Sequence, residues 1–124
     1  MDLQAKFCQV KAKETGAYIT MWSEFDRGVG GATAMGQKGV RIEAVAQQAF
    51  HHWSEFQRSG ATFDAYVADQ VLATAVVAKG ETLFKVPKLT SRFLTMVWVA
   101  KQFLPIPITI KGHEDTAGSV HIKR

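Results

Sequence analysis

Residues 63–78 form an almost unbroken apolar stretch, with Phe63, Tyr66, Val67, Val71, Leu72, Val76 and Val77 set among alanines. That composition predicts a helix buried nearly all round, and so a chain that must pack against several of its sides. Asp69 and Gln70 interrupt the stretch in its middle. Tyr66 stands three residues before one and four before the other, so a phenol, a carboxylate and an amide share one patch of helix surface. Burying an unpaired carboxylate costs several kcal/mol, roughly, so Asp69 needs a partner or a polar cleft. The patch reads as a binding site set into an otherwise apolar helix.

The elements around it follow from periodicity. Cys8, Val10 and Ala12 alternate with Gln9, Lys11 and Lys13, and Ala17, Ile19, Met21 and Phe25 alternate with Tyr18, Thr20, Trp22 and Glu24. Period two predicts strands over residues 6–13 and 17–26, joined by the turn Glu14-Thr15-Gly16 into a hairpin, with Cys8 on its apolar face. Residues 27–39 are rich in glycine and are expected to form a loop whose glycines serve close packing. They carry no Gly-Lys-Ser/Thr ending and no spaced dinucleotide fingerprint, which excludes a P-loop or a Rossmann turn.

A first helix is predicted over residues 40–59, burying Ile42, Val45, Ala46, Ala49, Phe50, Trp53 and Phe56 at helical spacing and stopped by Gly60. Thr62 is the expected N-cap of the second helix, with Asp64 in its first turn favoured by the helix dipole. A strand over Glu81–Val86 follows. A third helix starts at Thr90 or Ser91, buries Phe93, Met96, Val97, Ala100, Phe103 and Leu104, and ends at Pro105. Alternating isoleucines predict a strand over residues 106–111, and Val120 and Ile122 a last one over residues 119–123, the two forming a second hairpin. The order β-β-α-α-β-α-β-β predicts an α+β fold: one mixed sheet with helices packed on one face, and right-handed crossovers between parallel neighbours.

At 124 residues a single domain is expected. No apolar run reaches the ~18 residues of a membrane span, and a lone cysteine, Cys8, suits a reducing cytoplasm, so a cytoplasmic protein without membrane contact is expected. The net charge of +4 is concentrated after residue 78, where eight basic residues stand against Glu81, Glu114 and Asp115. Such an excess suits either a polyanion surface or a solvated face. Adjacent His51 and His52 diverge by about 100° on a helix and cannot chelate one ion, and His113 and His121 lie far off, so no metal and no cofactor are implied.

Several motifs together resemble a known family. Gly31-Ala32-Thr33-Ala34-Met35-Gly36-Gln37-Lys38-Gly39 before a long helix, Tyr66-Val67-Ala68-Asp69-Gln70, Leu94-Thr95, and Gln102-Phe103-Leu104-Pro105 are similar to the C-terminal third of the RNA 3′-terminal phosphate cyclases. The resemblance implies a βαβαββ unit, one of three packed about a pseudo-threefold axis in the full-length enzymes. Those enzymes use ATP to convert an RNA 3′-phosphate to a 2′,3′-cyclic phosphate, passing through AMP on a histidine. It also implies that Tyr66, Asp69 and Gln70 lie near the nucleotide, and it puts Arg92 in the place of that histidine. A guanidinium is always protonated and offers only donors, whereas attack on phosphorus needs a lone pair. Cyclase activity is therefore not expected from this chain alone. The expectation is a non-catalytic binding or assembly module, self-associating to cover the face that sister units would have covered. The alternative is a nucleotide- or RNA-binding protein using Tyr66, Asp69, Gln70, Arg92 and the basic C-terminal half. Against that alternative, Asp69 and Arg92 read slightly better as an ion pair fixing two helices. An enzyme of another kind, with Asp69 as general base, lacks a visible partner acid or nucleophile.

Overall fold

A computed structural model describes residues 2–124. The chain runs β1 (Tyr18–Phe25), β2 (Gly28–Met35), α1 (Ile42–Ser59), α2 (Ala65–Ala75), β3 (Glu81–Val86), α3 (Ser91–Phe103), β4 (Ile108–Lys111) and β5 (Gly118–Lys123). The element order and the α+β class agree with the sequence pattern. The single mixed sheet does not: β1 and β2 form one antiparallel pair, and β3-β5-β4 a separate antiparallel sheet. Among the described residues no two of these strands pair in parallel, so the expected parallel crossovers have no counterpart.

The main core lies between the inner face of β3-β5-β4 and the helices α2 and α3. Phe84, Leu89, Val120 and Ile122 meet Leu72 of α2 and Phe93 of α3 there, all nearly or fully buried. Phe84 packs edge-on against Phe93 with ring centroids 6.3 Å apart. Only one face of this sheet is covered, because the strands alternate, and Leu83 on the outer face stays 69% exposed. A smaller core joins α1 to the β1-β2 hairpin through Val45, Ala49 and Ala34. It takes less of α1 than its apolar spacing predicts, for Ile42 and Phe50 remain about half exposed. On α3, likewise, Phe93 and Val97 are buried while Phe103 is 80% exposed.

The predicted glycine loop is instead the strand β2. Its glycines let neighbours come close: a Cβ on Gly30 would sit 2.5 Å from Phe56 Cζ, so the Phe56 ring of α1 fills the space above it. On Gly31 a Cβ would lie 2.3 Å from the Met21 carbonyl oxygen. Close packing was the expected role; the extended backbone was not, since glycine is scarce in strands.

The segment over residues 6–13, predicted as a strand with Cys8 inward, pairs with nothing, and every one of its residues is exposed, Cys8 included. Alternation alone does not make a strand where no neighbour receives its hydrogen bonds.

The link between the two sheets is built by residues 62–64. Thr62 donates its N–H to the Lys85 carbonyl at 2.9 Å and accepts Lys85 N–H on Oγ1 at 3.0 Å, while its carbonyl accepts Val29 N–H at 3.0 Å. Thr62 is thus engaged with β3 and β2, and Asp64 takes the N-cap of α2 in its stead, accepting from Tyr66 N–H at 2.8 Å and Val67 N–H at 3.0 Å. Its other oxygen accepts Gly31 N–H at 2.8 Å, so a buried carboxylate pins α2 to β2.

Candidate functional site

Asp69 sits midway along α2 on the side facing α3, and Arg92 is the second residue of α3. Thr90 caps α3, its hydroxyl accepting Phe93 N–H at 3.1 Å, which sets the direction of the first turn and of Arg92. Arg92 donates Nε–H to Asp69 Oδ2. Its guanidinium carbon lies 4.8 Å from the centroid of the Tyr66 ring, within cation–π range. The first turn of α3 holds no acidic residue, so a cation there opposes the helix dipole. Asp69 and the Tyr66 ring face supply the compensating negative potential.

The pair is unequally buried. The Asp69 side chain is 13% exposed and the Arg92 side chain 50%. Asp69 Oδ1 is buried and has no hydrogen-bond partner among the described residues. A buried acceptor of this kind costs about 1–3 kcal/mol unless something donates to it. The far edge of the guanidinium, in contrast, reaches solvent and keeps donors that a phosphate or carboxylate could take.

The structure therefore brings Tyr66, Asp69 and Arg92 together. Gln70 is exposed and joins none of the three by a hydrogen bond; it lines a shallow apolar groove with Val67, Val71 and Thr74. Successive helix positions diverge by about 100°, which carries Gln70 round from the face that Asp69 presents to α3. The basic residues do not converge on the site either. Lys85, Lys111 and Lys123 occupy outward positions of β3, β4 and β5, on the sheet face opposite the helices. Of the others, Lys88 pairs with Asp115 at 3.2 Å.

Among the described residues no three His, Cys, Asp or Glu side chains are placed to hold a metal. His51 pairs with Glu55 at 3.3 Å rather than with His52, and His121 with Glu81 on the outer sheet face. Asp64 is the residue that sequence reasoning undervalued. Its signal was present, an Asp one residue before a helical run, but Thr62 offered a competing cap.

The sequence as a whole has known relatives. The sequence profile of the RNA 3′-terminal phosphate cyclases matches residues 5–110. The chain belongs to this family. An RNA 3′-terminal phosphate cyclase of Methanopyrus kandleri is 33% identical over 109 residues, covering 87% of this chain but 31% of that protein. Those of Methanosarcina mazei and Nitrosospira multiformis are 37% and 38% identical over 100 and 85 residues, covering 81% and 67% of this chain. In these two the match spans 27% and 24% of the relative. The chain thus spans under a third of the length of the curated cyclases it matches, a share consistent with one C-terminal unit. Among the described residues no helix is long and apolar enough to cross a membrane.

Proposed function

We propose that this chain is a non-catalytic binding or assembly module built on a cyclase C-terminal unit, and that it associates with copies of itself in the cytoplasm. The observation that carries the reading is Arg92, standing where the resemblance puts the nucleotide-carrying histidine and engaged with Asp69 and Tyr66. A guanidinium has no lone pair to offer phosphorus, and its ion pair with Asp69 makes structural use of the position. Self-association is supported by apolar side chains left uncovered on the helix layer: Trp98 at 63% and Phe103 at 80% on α3, Tyr66 at 69% on α2 and Val77 at 56% just beyond it. An exposed single thiol, Cys8, suits a reducing compartment.

The test incubates the purified chain with radiolabelled ATP, then with 3′-phosphorylated RNA. No covalent label is expected; label held by the protein and turned over on the RNA overturns the non-catalytic reading. Light scattering at micromolar concentration is expected to give a multiple of the 13.7 kDa monomer mass, and a strictly monomeric mass removes self-association.

A second reading, binding of a nucleotide or RNA phosphate by Arg92 with Tyr66, Asp69 and Gln70, is favoured by the half-exposed guanidinium. Titration with ATP and a short 3′-phosphorylated RNA at falling salt separates the two, since phosphate contacts strengthen as salt falls. No binding at low salt eliminates it.

A further inference from the structure

We propose that residues 6–13 are an exchanged β-strand, pairing with the open edge of β1 in a second copy of this chain, which returns its own segment to the first. The inference rests on the self-association reading and names its contact surface.

The segment carries a strand pattern with nothing to bury it against. Cys8, Val10 and Ala12 alternate with Gln9, Lys11 and Lys13, yet Val10 is 77% exposed, and the neighbouring Phe7 and Leu3 are 100% and 81% exposed. Cys8, Val10 and Ala12 are spaced for one face of a sheet and Leu3 and Phe7 for the other, and such exposed apolar side chains gain from docking on a sheet edge.

The hairpin offers one such edge. The first half of the outer edge of β2 is taken: Val29 N–H goes to the Thr62 carbonyl and Gly31 N–H to Asp64 Oδ2. Those two outward N–H groups also fix the ladder's parity. Gly31 stands opposite Trp22 and Val29 opposite Glu24, so Trp22 and Glu24, and with them Tyr18 and Thr20, aim their backbone groups away from β2. Gly36 N–H donating to the Ala17 carbonyl at 2.7 Å agrees with that parity. Nothing among the described residues meets this outward row on β1. β1 is eight residues long, the length of the segment, and an unpaired strand edge is a template for a further strand.

A second copy is the occupant that the geometry favours. Each chain has one strand to give and one open β1 edge to receive it, so a two-fold exchange satisfies both at once and closes the assembly at two copies. Gly16, with open space where a Cβ would be, lies between segment and edge as the hinge. In the structure the segment does not fold back on its own β1.

The test uses the full chain, by light scattering at micromolar concentration together with amide hydrogen exchange over residues 6–13. Thr20→Pro removes an N–H that points away from β2 and leaves the β1-β2 ladder its hydrogen bonds. Val10→Pro breaks the segment itself, outside the packed body, and so cannot unfold it. The wild type is expected at twice the monomer mass with those amides slowed at least about tenfold. Each variant is expected at monomer mass with unchanged helical circular dichroism. A dimer that survives both substitutions overturns strand exchange while leaving self-association standing. A wild-type monomer overturns both, and slowed amides in a monomer show instead that the segment pairs within its own chain.

Discussion

Arg92 donates to Asp69 across the α2–α3 contact while its guanidinium lies over the Tyr66 ring, so one side chain ties together two residues of the neighbouring helix. The two partners depend on the bond unequally. Asp69 is largely buried and already has one oxygen without a donor, whereas Arg92 reaches water.

Removing Arg92 should therefore cost more than removing Asp69. Arg92→Ala leaves a buried carboxylate with neither oxygen satisfied and is expected to lose about 2 kcal/mol in urea unfolding. Asp69→Ala frees a half-exposed cation and is expected to lose about 1 kcal/mol or less. The double variant should be less destabilised than the sum of the two. The opposite ranking of the single variants would show that the pair is a solvated surface contact.

Asp64 is expected to outweigh Thr62. Asp64→Ala removes the cap of α2 and leaves Gly31 N–H without its acceptor, a loss of about 2 kcal/mol or more. Thr62→Ala removes one exposed bond to Lys85 N–H and keeps the backbone bonds, a loss under about 1 kcal/mol. Thermal unfolding of the two variants checks the order, and equal losses would put the cap at Thr62 after all.

Gly30 and Gly60 are needed for different reasons, and substitution separates them. Gly30→Ala drives a methyl into the Phe56 ring and is expected to cost about 1–3 kcal/mol, partly recovered when combined with Phe56→Leu. Gly60 ends α1 at φ 62° with open space around it, so Gly60→Ala meets only backbone strain of about 1 kcal/mol. Gly60→Asn should recover most of that, because Asn tolerates the left-handed region. Recovery at position 60 but not at 30 is the signature to look for in urea midpoints.

The exposed apolar side chains of α3 should report on assembly independently of the hairpin. Trp98 and Phe103 are 63% and 80% exposed, and Trp98→Ser and Phe103→Ser are expected to change stability by no more than about 0.5 kcal/mol. If the helix layer also contacts a second copy, they raise the dissociation constant in sedimentation; unchanged association would confine the contact to the β1 edge.

The three helices, the β3 strand and the C-terminal hairpin were legible in the sequence, because a spacing of 3.6 or 2 is written into consecutive residues and here each element found a neighbour to pack against. So was the need of Asp69 for a partner, since the cost of a buried charge does not depend on the fold. Family membership was legible too, from the Tyr66–Gln70 and Leu94–Pro105 motifs. What tertiary structure alone decided is where each element finds its neighbours. Gly28–Met35 is a strand because β1 pairs with it along its length, and Gly30 is bare because the Phe56 ring lies over it. Asp64 caps α2 because β2 and β3 claim Thr62. Residues 6–13, as clear a strand pattern as any, stay unpaired because a strand's hydrogen bonds belong to a partner that its own sequence does not contain.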